Sequence, residues 1–224
     1  MSPDHLVVIG AGEHARVVID AARSTPEDWV VDGVVDGHDG PGKDASGLRA
    51  LGDDTAYLAR LADVAAADRP VLILGVGAPR EPDRRRAIVA RYAGLARWAT
   101  LVHASATISP DASIAGGAVV LAGAVVGPGA RIGPHAVVNS GAIVEHDVSL
   151  GAFGQIGPGA VIGGATTIGE GAFIGLGARV RDHVTIGSEA VVGMGAVVVA
   201  DVPAGALVLG IPARGREAKT MADR

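Results

Sequence analysis

Between Ile108 and Val198, an aliphatic residue returns at every sixth position of the chain. The sixteen positions follow one another without a gap, and all of them except Leu150 are β-branched. A small residue, usually alanine, stands four positions after most of them, with Val148 and Val184 as exceptions. A short fixed period of β-branched residues with glycine-rich turns is typical of a parallel β-helix, in which each repeat is one strand and one turn. We therefore predict triangular coils of three strands, with the aliphatic side chains inside and the small ones at the corners.

A different pattern precedes the repeats. Apolar residues at 6–9 are followed by a glycine loop at 10–14 and by apolar residues at helical spacing up to Arg23. Further strands are predicted at 29–35 and 71–76, and a helix at 81–91. Such alternation predicts a parallel sheet covered by helices, with a ligand at the carboxyl ends of the strands. We expect an α/β domain at 1–92, a linker at 93–104, the β-helix at 105–213 and a tail at 214–224.

Composition and charge exclude several classes of function. The chain has no cysteine, so it offers no thiol nucleophile and no cysteine metal site. Its net charge is −5 and no basic stripe follows the repeats, which argues against binding to a nucleic acid. The apolar run near the start is too short for a signal segment or a membrane span. We expect a soluble, cytoplasmic protein.

The glycine loop has two interpretations. Gly10, Gly12 and Ala15 form an incomplete G-x-G-x-x-G pattern after a strand, and such a loop can cradle a phosphate at a helix N-terminus. The alternative is a tight turn between strand and helix. A dinucleotide site is less well supported: Asp32 or Asp36 stands near the usual spacing, but the sheet is short for two mononucleotide halves.

His146 is the candidate catalytic residue. Because Val144 faces inward, His146 is expected near a corner of the coil, where a histidine can also be an ordinary solvated turn residue. Asp147 beside it favours a chemical role, since a carboxylate that accepts from one ring nitrogen raises the basicity of the other. Acyl transfer from a thioester to an amine or hydroxyl needs such a base, together with positioning of both reactants and a donor for the oxyanion.

Four segments together resemble one family, the hexapeptide-repeat sugar acyltransferases of the sialic acid O-acetyltransferase and nucleotide-sugar N-acetyltransferase group. The segments are VIGAGEHA at 8–15, VDG at 35–37, VNSGAIVEHD at 138–147 and GIPA at 210–213. The resemblance covers nearly the whole chain. It implies a Rossmann-like domain followed by a left-handed parallel β-helix, although the usual crossover rule would favour the right-handed form.

The resemblance also implies an activity. It indicates an acetyl-CoA-dependent N-acetyltransferase acting on a nucleotide-linked amino sugar, with a 4-amino-4,6-dideoxy sugar as the expected acceptor. His146 is then the general base, and Asp147 tunes it. The alternative is a sugar O-acetyltransferase of the sialic acid type. The family lays coenzyme A between neighbouring β-helices, so a homotrimer without metal is expected.

Binding residues follow from the same resemblance. The acceptor residues are Gly12, Glu13, His14, Asp36, Gly37 and Gly77, with Gly75 as a less favoured alternative to Gly77. The coenzyme A residues are Gln155, Gly164, Leu176 and Met194. Many relatives have an acid where Gly37 stands, and some have histidine where Gln155 stands. Glutamine can donate a hydrogen bond to the thioester carbonyl but cannot carry charge.

Three other functions fit the sequence less well. A carbonic anhydrase on this repeat needs a close pair of histidines, which His135, His146 and His183 do not offer. A nucleotidyltransferase needs lysine in the glycine loop, and residues 10–15 contain none. A scaffold would carry regular threonine ladders rather than mixed outward positions. Outside these sites, the arginine run at 84–86 is expected to be a solvated helix face.

Overall fold

The computed structural model describes residues 2–36, 48–65, 69–77 and 82–216. Its first part is a parallel sheet of four strands in the order β2-β1-β3-β4 with three helices. The elements are β1 (Asp4–Ile9), α1 (Glu13–Arg23), β2 (Trp29–Val35), α2 (Asp54–Ala62), β3 (Val71–Leu74), α3 (Pro82–Arg91) and β4 (Arg97–Trp98). The predicted parallel sheet with covering helices is confirmed.

Two of these elements, α2 and β4, were not among the predicted ones. Helix α2 begins after Asp53, whose side chain accepts a hydrogen bond from the backbone N–H of Ala56 at 2.7 Å. It buries only Tyr57 and Leu61 against the sheet. A helix of nine residues with two buried positions gives a weak periodic signal.

The second part is a parallel β-helix whose short strands form three faces. Face 1 contains β5 (Leu101–Val102), β8 (Val119–Val120), β11 (Val137–Val138), β14 (Gln155–Ile156), β17 (Phe173–Ile174), β20 (Val191–Val192), β22 (Leu207–Leu209) and the antiparallel β23 (Arg214–Arg216). Face 2 contains β6 (Thr107–Ile108), β9 (Val125–Val126), β12 (Ile143–Val144), β15 (Val161–Ile162), β18 (Arg179–Val180) and β21 (Val197–Val198). Face 3 contains β7 (Ser113–Ile114), β10 (Arg131–Ile132), β13 (Ser149–Leu150), β16 (Thr167–Ile168) and β19 (Thr185–Ile186).

The coils stack in register, so that the predicted inward residues lie above one another. Val138 pairs with Ile156, and Val144 pairs with Ile162. These four side chains have no exposed surface, and the corner alanines, such as Ala142, are equally buried. The left-handed parallel β-helix predicted from the resemblance is confirmed, with about six turns.

The β-helix begins earlier than the repeat suggested. Val102, six residues before Ile108, already lies in β5, which pairs with β8. The segment 93–104, which we expected to be a linker, therefore contains β4 of the first sheet and β5 of the first coil. Helix α1 packs on this coil, because Val18 and Ile19 share a buried cluster with Leu101 and Leu121.

Helix α3 lies along the corner where face 3 turns into face 1. Arg85 is 1% exposed and donates to two corner carbonyls of the β-helix, at His135 and Phe153. Arg86 forms ion pairs with Glu170 at 2.9 Å and Glu189 at 3.0 Å on the same corner. The prediction of a solvated arginine face is therefore wrong for Arg85 and Arg86, which join the two parts of the molecule.

Among the helices of the described residues, none combines the length and the apolar character that a membrane span requires.

Candidate active site

His146 lies at the corner where face 2 turns into face 3, two residues after the end of β12. Its Nδ1 is 2.9 Å from Oδ2 of Asp147, and both side chains are largely exposed. Asp147 has a φ of 59°, a left-handed conformation that closes the turn. The alternation of side chains between the two sides of a strand is thus broken at the predicted corner. The Asp147 carboxylate therefore lies beside the His146 ring rather than on the opposite side of the strand.

The surroundings of His146 favour its protonated form. The hydrogen bond to Asp147 raises the pKa of His146 above its ordinary value, and the charges of Asp147, Glu145 and Asp182 add to this effect. A carboxylate that accepts from Nδ1–H leaves Nε2 as the basic nitrogen. The exposed pair can therefore take a proton at Nε2 from a bound molecule.

Gly164, predicted to bind coenzyme A, lies under the ring of His146. A Cβ on Gly164 would overlap Nε2 of His146 and come within 2.6 Å of its Cε1. Glycine at this position therefore leaves room for the His146 ring against the next coil. The structure places Gly164 with the catalytic candidate and not with the other three predicted coenzyme residues.

His14 lies on the first turn of α1 and packs against Gly77 after β3. A Cβ on Gly77 would come within 3.1 Å of the Cβ of His14, so the absence of a side chain there allows the close approach. At Gly75, the alternative acceptor residue, a Cβ would come within 2.6 Å of Val8 Cγ1 and within 3.0 Å of the Gly10 carbonyl oxygen. Gly75 is therefore a packing residue, whereas Gly77 lies next to an open surface.

The imidazole of His14 is held in its neutral form. Burial, with a smaller contribution from the charge of Arg85, lowers the pKa of His14 to about 4. Its Nε2 has no accessible surface and no hydrogen-bond partner. A buried polar atom without a partner is costly, so a ligand that supplies one would be favoured.

Most of the predicted binding residues meet in one groove of about 610 Å³ between α1 and face 1, which we call the junction groove. The predicted residues that line it are Glu13, His14, Gly77, Gln155, Leu176 and Met194. Its volume is within the usual range for small-molecule sites. The groove thus brings predicted acceptor residues of the first domain together with predicted coenzyme residues of the β-helix.

The remaining acceptor residues lie elsewhere. Asp36 lines a second cavity, of about 320 Å³, at the carboxyl ends of β1, β2 and β3, together with Gly10 and Arg84. Gly12 precedes α1 as its N-cap and has open space where a side chain would be. Gly37 lies outside the described residues. We call the second cavity the strand-end pocket.

The glycine loop is a tight turn at Gly10. This residue has a φ of 103°, and a Cβ there would come within 2.6 Å of Val76 Cγ2. Only glycine combines this conformation with so close an approach. The turn interpretation of the loop is therefore sufficient to explain Gly10.

The two catalytic candidates do not line the junction groove. His146 lies on the corner between faces 2 and 3, whereas Leu176 and Met194 lie on the corner between faces 1 and 2. The side chains that line the groove do not include His146 or Asp147. A single chain thus presents the catalytic candidate and the groove on different corners.

Among the groove residues that sequence reasoning missed are Asn139 and Phe173. Asn139 belongs to the VNSGAIVEHD segment, so its presence in that motif was a usable signal. Phe173 is one of only two phenylalanines in the chain and stands immediately before an inward position, where side chains point outward. An aromatic residue at an outward position of a repeat is a second signal of this kind.

The sequence predicts a site without metal. A metal site would need several histidine or carboxylate ligands close together. Among the described residues, no group of three or more histidine, cysteine, aspartate or glutamate side chains is arranged to hold a metal ion.

Comparison with known proteins gives consistent results. Residues 5–91 match the family model described as the PglD N-terminal domain. PerB from Caulobacter crescentus, crystallised with CoA and GDP-perosamine, is 35% identical with a TM-score of 0.83, over 95% of this chain and 97% of that one. The acetyltransferase domain of PglB from Neisseria gonorrhoeae, in complex with acetyl coenzyme A, is 34% identical with a TM-score of 0.85, over 96% and 100%.

Further matches extend the comparison. WeeI from Acinetobacter baumannii is 25% identical with a TM-score of 0.79, over 94% of this chain and 99% of that one. The Caulobacter perosamine enzyme has also been crystallised with a single histidine replaced by alanine or asparagine. No curated protein sequence matches the chain. The identity to PerB and PglB over almost the full length shows that the chain belongs to the family of hexapeptide-repeat sugar N-acyltransferases that includes these two proteins.

Proposed function

We propose that the chain is an acetyl-CoA-dependent N-acetyltransferase whose acceptor is a nucleotide-linked amino sugar. The observation that carries the proposal is the exposed His146–Asp147 pair, 2.9 Å apart, in a chain 35% identical to an enzyme crystallised with CoA and GDP-perosamine. A 4-amino-4,6-dideoxy sugar, the class to which perosamine belongs, is the proposed acceptor.

In this proposal His146 is the general base. Nε2 takes a proton from the amino group of the acceptor as the amine nitrogen attacks the thioester carbonyl. The acyl carbon–sulfur bond then breaks, and the leaving sulfur takes the proton from the imidazolium and departs as the coenzyme thiol. Asp147 accepts from Nδ1–H and stabilises the imidazolium that forms. The raised pKa of His146 supports this role, because a stronger base accepts the proton more readily.

The junction groove suits the pantetheine arm of the acyl donor. Its outer wall carries Leu176 and Met194, which are 53% and 78% exposed in the single chain. Large apolar side chains this exposed usually mark a surface covered by a ligand or a partner. Gln155 on the floor of the groove is able to donate to the thioester carbonyl. These residues fit coenzyme A, which supplies the acyl group.

The acceptor is proposed to bind between the first domain and the β-helix. His14 and Gly77, which line the groove, would contact the sugar end of the acceptor. Asp36 in the strand-end pocket, together with Gly12 and Glu13, would hold the nucleotide. Helix N-termini favour anionic groups, so the start of α1 suits a diphosphate.

The separation of His146 from the junction groove supports a homotrimer. Because the two lie on different corners of one β-helix, a complete site requires the corner of one chain beside the groove of the next. A closed ring of three chains with identical contacts satisfies this requirement. The cytoplasmic location expected from the sequence stays a prediction.

The test is a thiol-release assay with acetyl-CoA and a panel of acceptors. The panel contains GDP-, UDP- and dTDP-linked 4-amino sugars, with sialic acids as hydroxyl acceptors. We expect turnover with at least one nucleotide-linked amino sugar. Turnover with sialic acid alone would instead establish the O-acetyltransferase.

A further inference from the structure

A third cavity, of about 630 Å³, lies at the opposite edge of the first sheet from the strand-end pocket. It is open at the edge where β1, β3 and β4 begin, and α2 covers one side of it. Four arginines line it: Arg49, Arg60, Arg69 and Arg97. We call this cavity the arginine groove. It uses none of the residues assigned above to catalysis or to binding of the two substrates.

Two of the arginines are held in place by the protein. Arg69 donates from Nε to the carbonyl of Val64 and from Nη1 to the carbonyl of Gly94, both at 3.1 Å. The guanidinium of Arg60 lies 5.7 Å above the centre of the Tyr57 ring. A guanidinium has five N–H donors, so each of these side chains keeps donors for another partner.

The other two arginines, Arg49 and Arg97, form no side-chain hydrogen bond or ion pair within the described part of the chain. None of the four arginines forms an ion pair with a described carboxylate. The acids in the groove are Asp4 and Asp32, and Asp32 is already bound to His5 at 2.8 Å. Four arginines thus line a small space that holds two carboxylates, and none of these arginines is paired with a described carboxylate.

This concentration of charge contrasts with the rest of the molecule. The protein as a whole has a net charge of −5. Like charges gathered in one concave space repel one another, and the same space focuses their field on a ligand of opposite charge. The groove therefore attracts anions on an otherwise acidic protein.

The shape and the lining of the groove indicate the class of ligand. Its volume matches that of small-molecule sites, and its floor contains Val7, Leu61 and Val71. A nucleic acid would need a continuous basic stripe, and no such stripe follows the repeats in the sequence of this chain, whose net charge is −5. Guanidinium groups bind phosphate oxygens in pairs, and several of them together suit a group with more than one negative charge. We propose that the arginine groove binds a small molecule carrying a diphosphate or triphosphate group.

The proposed site is separate from the acceptor site. The arginine groove lies at the amino ends of β1 and β3, whereas Gly10, Asp36 and Gly77 follow the carboxyl ends of the strands. The six residues of β1 put roughly 15–20 Å between the two edges. A ligand in the groove therefore does not occupy the acceptor site.

Titration calorimetry with inorganic pyrophosphate at fixed ionic strength tests the proposal. We compare the wild type, Arg49→Gln/Arg97→Gln and the control Arg23→Gln/Arg131→Gln, which removes the same charge from exposed positions elsewhere. One site per chain is expected. Its Kd should rise at least about tenfold in Arg49→Gln/Arg97→Gln, the loss expected for one charge-assisted hydrogen bond, and change less than about twofold in the control.

ADP in place of pyrophosphate separates an organic diphosphate from an inorganic one. If ADP binds more tightly than pyrophosphate, and this binding is lost in Arg49→Gln/Arg97→Gln, the ligand carries an organic group that contacts the apolar floor. Equal Kd values for ADP and pyrophosphate would mean that the groove recognises the phosphates alone. The single variant Arg97→Gln replaces the double variant if the latter unfolds at a lower temperature. Absence of saturable binding in the wild type, or an unchanged Kd in the arginine-groove variants, would overturn the proposal.

Discussion

Arg85 donates a hydrogen bond from Nη2 to the carbonyl oxygen of His135, at 2.7 Å, across the boundary between the α/β domain and the β-helix. A second bond runs from Nη1 to the carbonyl of Phe153, at 3.3 Å. His135 and Phe153 occupy equivalent corners of successive coils, and their rings stack 5.1 Å apart. One side chain of α3 thus ties two coils to the first domain.

Replacement of Arg85 by methionine should lower stability. The substitution keeps the packing volume but leaves two corner carbonyls without their charged donor, which costs on the order of 1–3 kcal/mol. The urea midpoint should therefore fall, whereas Arg131→Met at an exposed position of face 3 should leave it nearly unchanged. Equal urea midpoints for the two variants would mean that the hydrogen bonds of Arg85 make no net contribution to the free energy of unfolding.

Loss of the imidazole at position 146 should abolish most of the activity. His146→Ala should lower kcat by about 10²–10⁴-fold while acetyl-CoA still binds, because the general base is missing. With an amine acceptor the deficit should shrink as the pH rises, since the amine loses its proton without help. Near wild-type turnover of His146→Ala at neutral pH would end the proposed mechanism.

Asp147 should set the pH dependence of the reaction. The base works when it is neutral, so activity falls as the pH drops through the pKa of His146, which Asp147 raises. In Asp147→Asn the carboxylate is lost and this pKa decreases, which should shift the acidic limb of the kcat/KM profile to lower pH. The maximal kcat should also fall, by less than in His146→Ala, because an amide does not stabilise the imidazolium. An unshifted acidic limb would contradict the assignment.

His14 should act on the acceptor rather than on the chemistry. His14→Ala should raise the acceptor KM with a smaller effect on kcat, because a positioning contact contributes to binding more than to proton transfer. With a pKa of about 4, His14 stays neutral near pH 7, so the KM effect should not depend on pH between about 6 and 8. A loss of kcat as large as that of His146→Ala, with unchanged KM, would place His14 in the chemistry.

Gly164 should be sensitive to a single methyl group. Gly164→Ala would push against the His146 ring and displace Nε2, so kcat should fall by about tenfold or more while the melting temperature changes little. Gly116→Ala is the matched control, because a Cβ there has ordinary contact with the Trp98 carbonyl at 3.6 Å. Full activity of Gly164→Ala would show that the position of the His146 ring does not depend on a glycine at 164.

Mixed oligomers test whether the site is shared between chains. His14→Ala and His146→Ala should each be nearly inactive at low acceptor concentration. If each site takes His146 from one chain and His14 from its neighbour, co-expression in equal amounts should restore up to about a quarter of the wild-type activity. Light scattering should give the mass of three chains. A monomer, or no recovery in the mixture, would contradict the shared site.

The repeat made the β-helix predictable, because each coil depends on its own residues and its neighbours. The corner position of His146 followed from the same register, counted from Val144. The contacts of Arg85 did not follow, since its partners lie 50 and 68 residues away in the chain. No local pattern encodes such distant contacts. The junction groove was only partly foreseen for the same reason, because it depends on how α1 docks on face 1.

The in-register stacking of the coils also constrains how the length of this protein can change. Val138 lies on Ile156, so one complete turn of the β-helix takes eighteen residues. An insertion of one residue within a strand would turn the following aliphatic side chains out of the core, whereas insertion of a whole turn would alter no face. The length of the junction groove along the axis of the β-helix can therefore change only in steps of one turn, about 4.8 Å each.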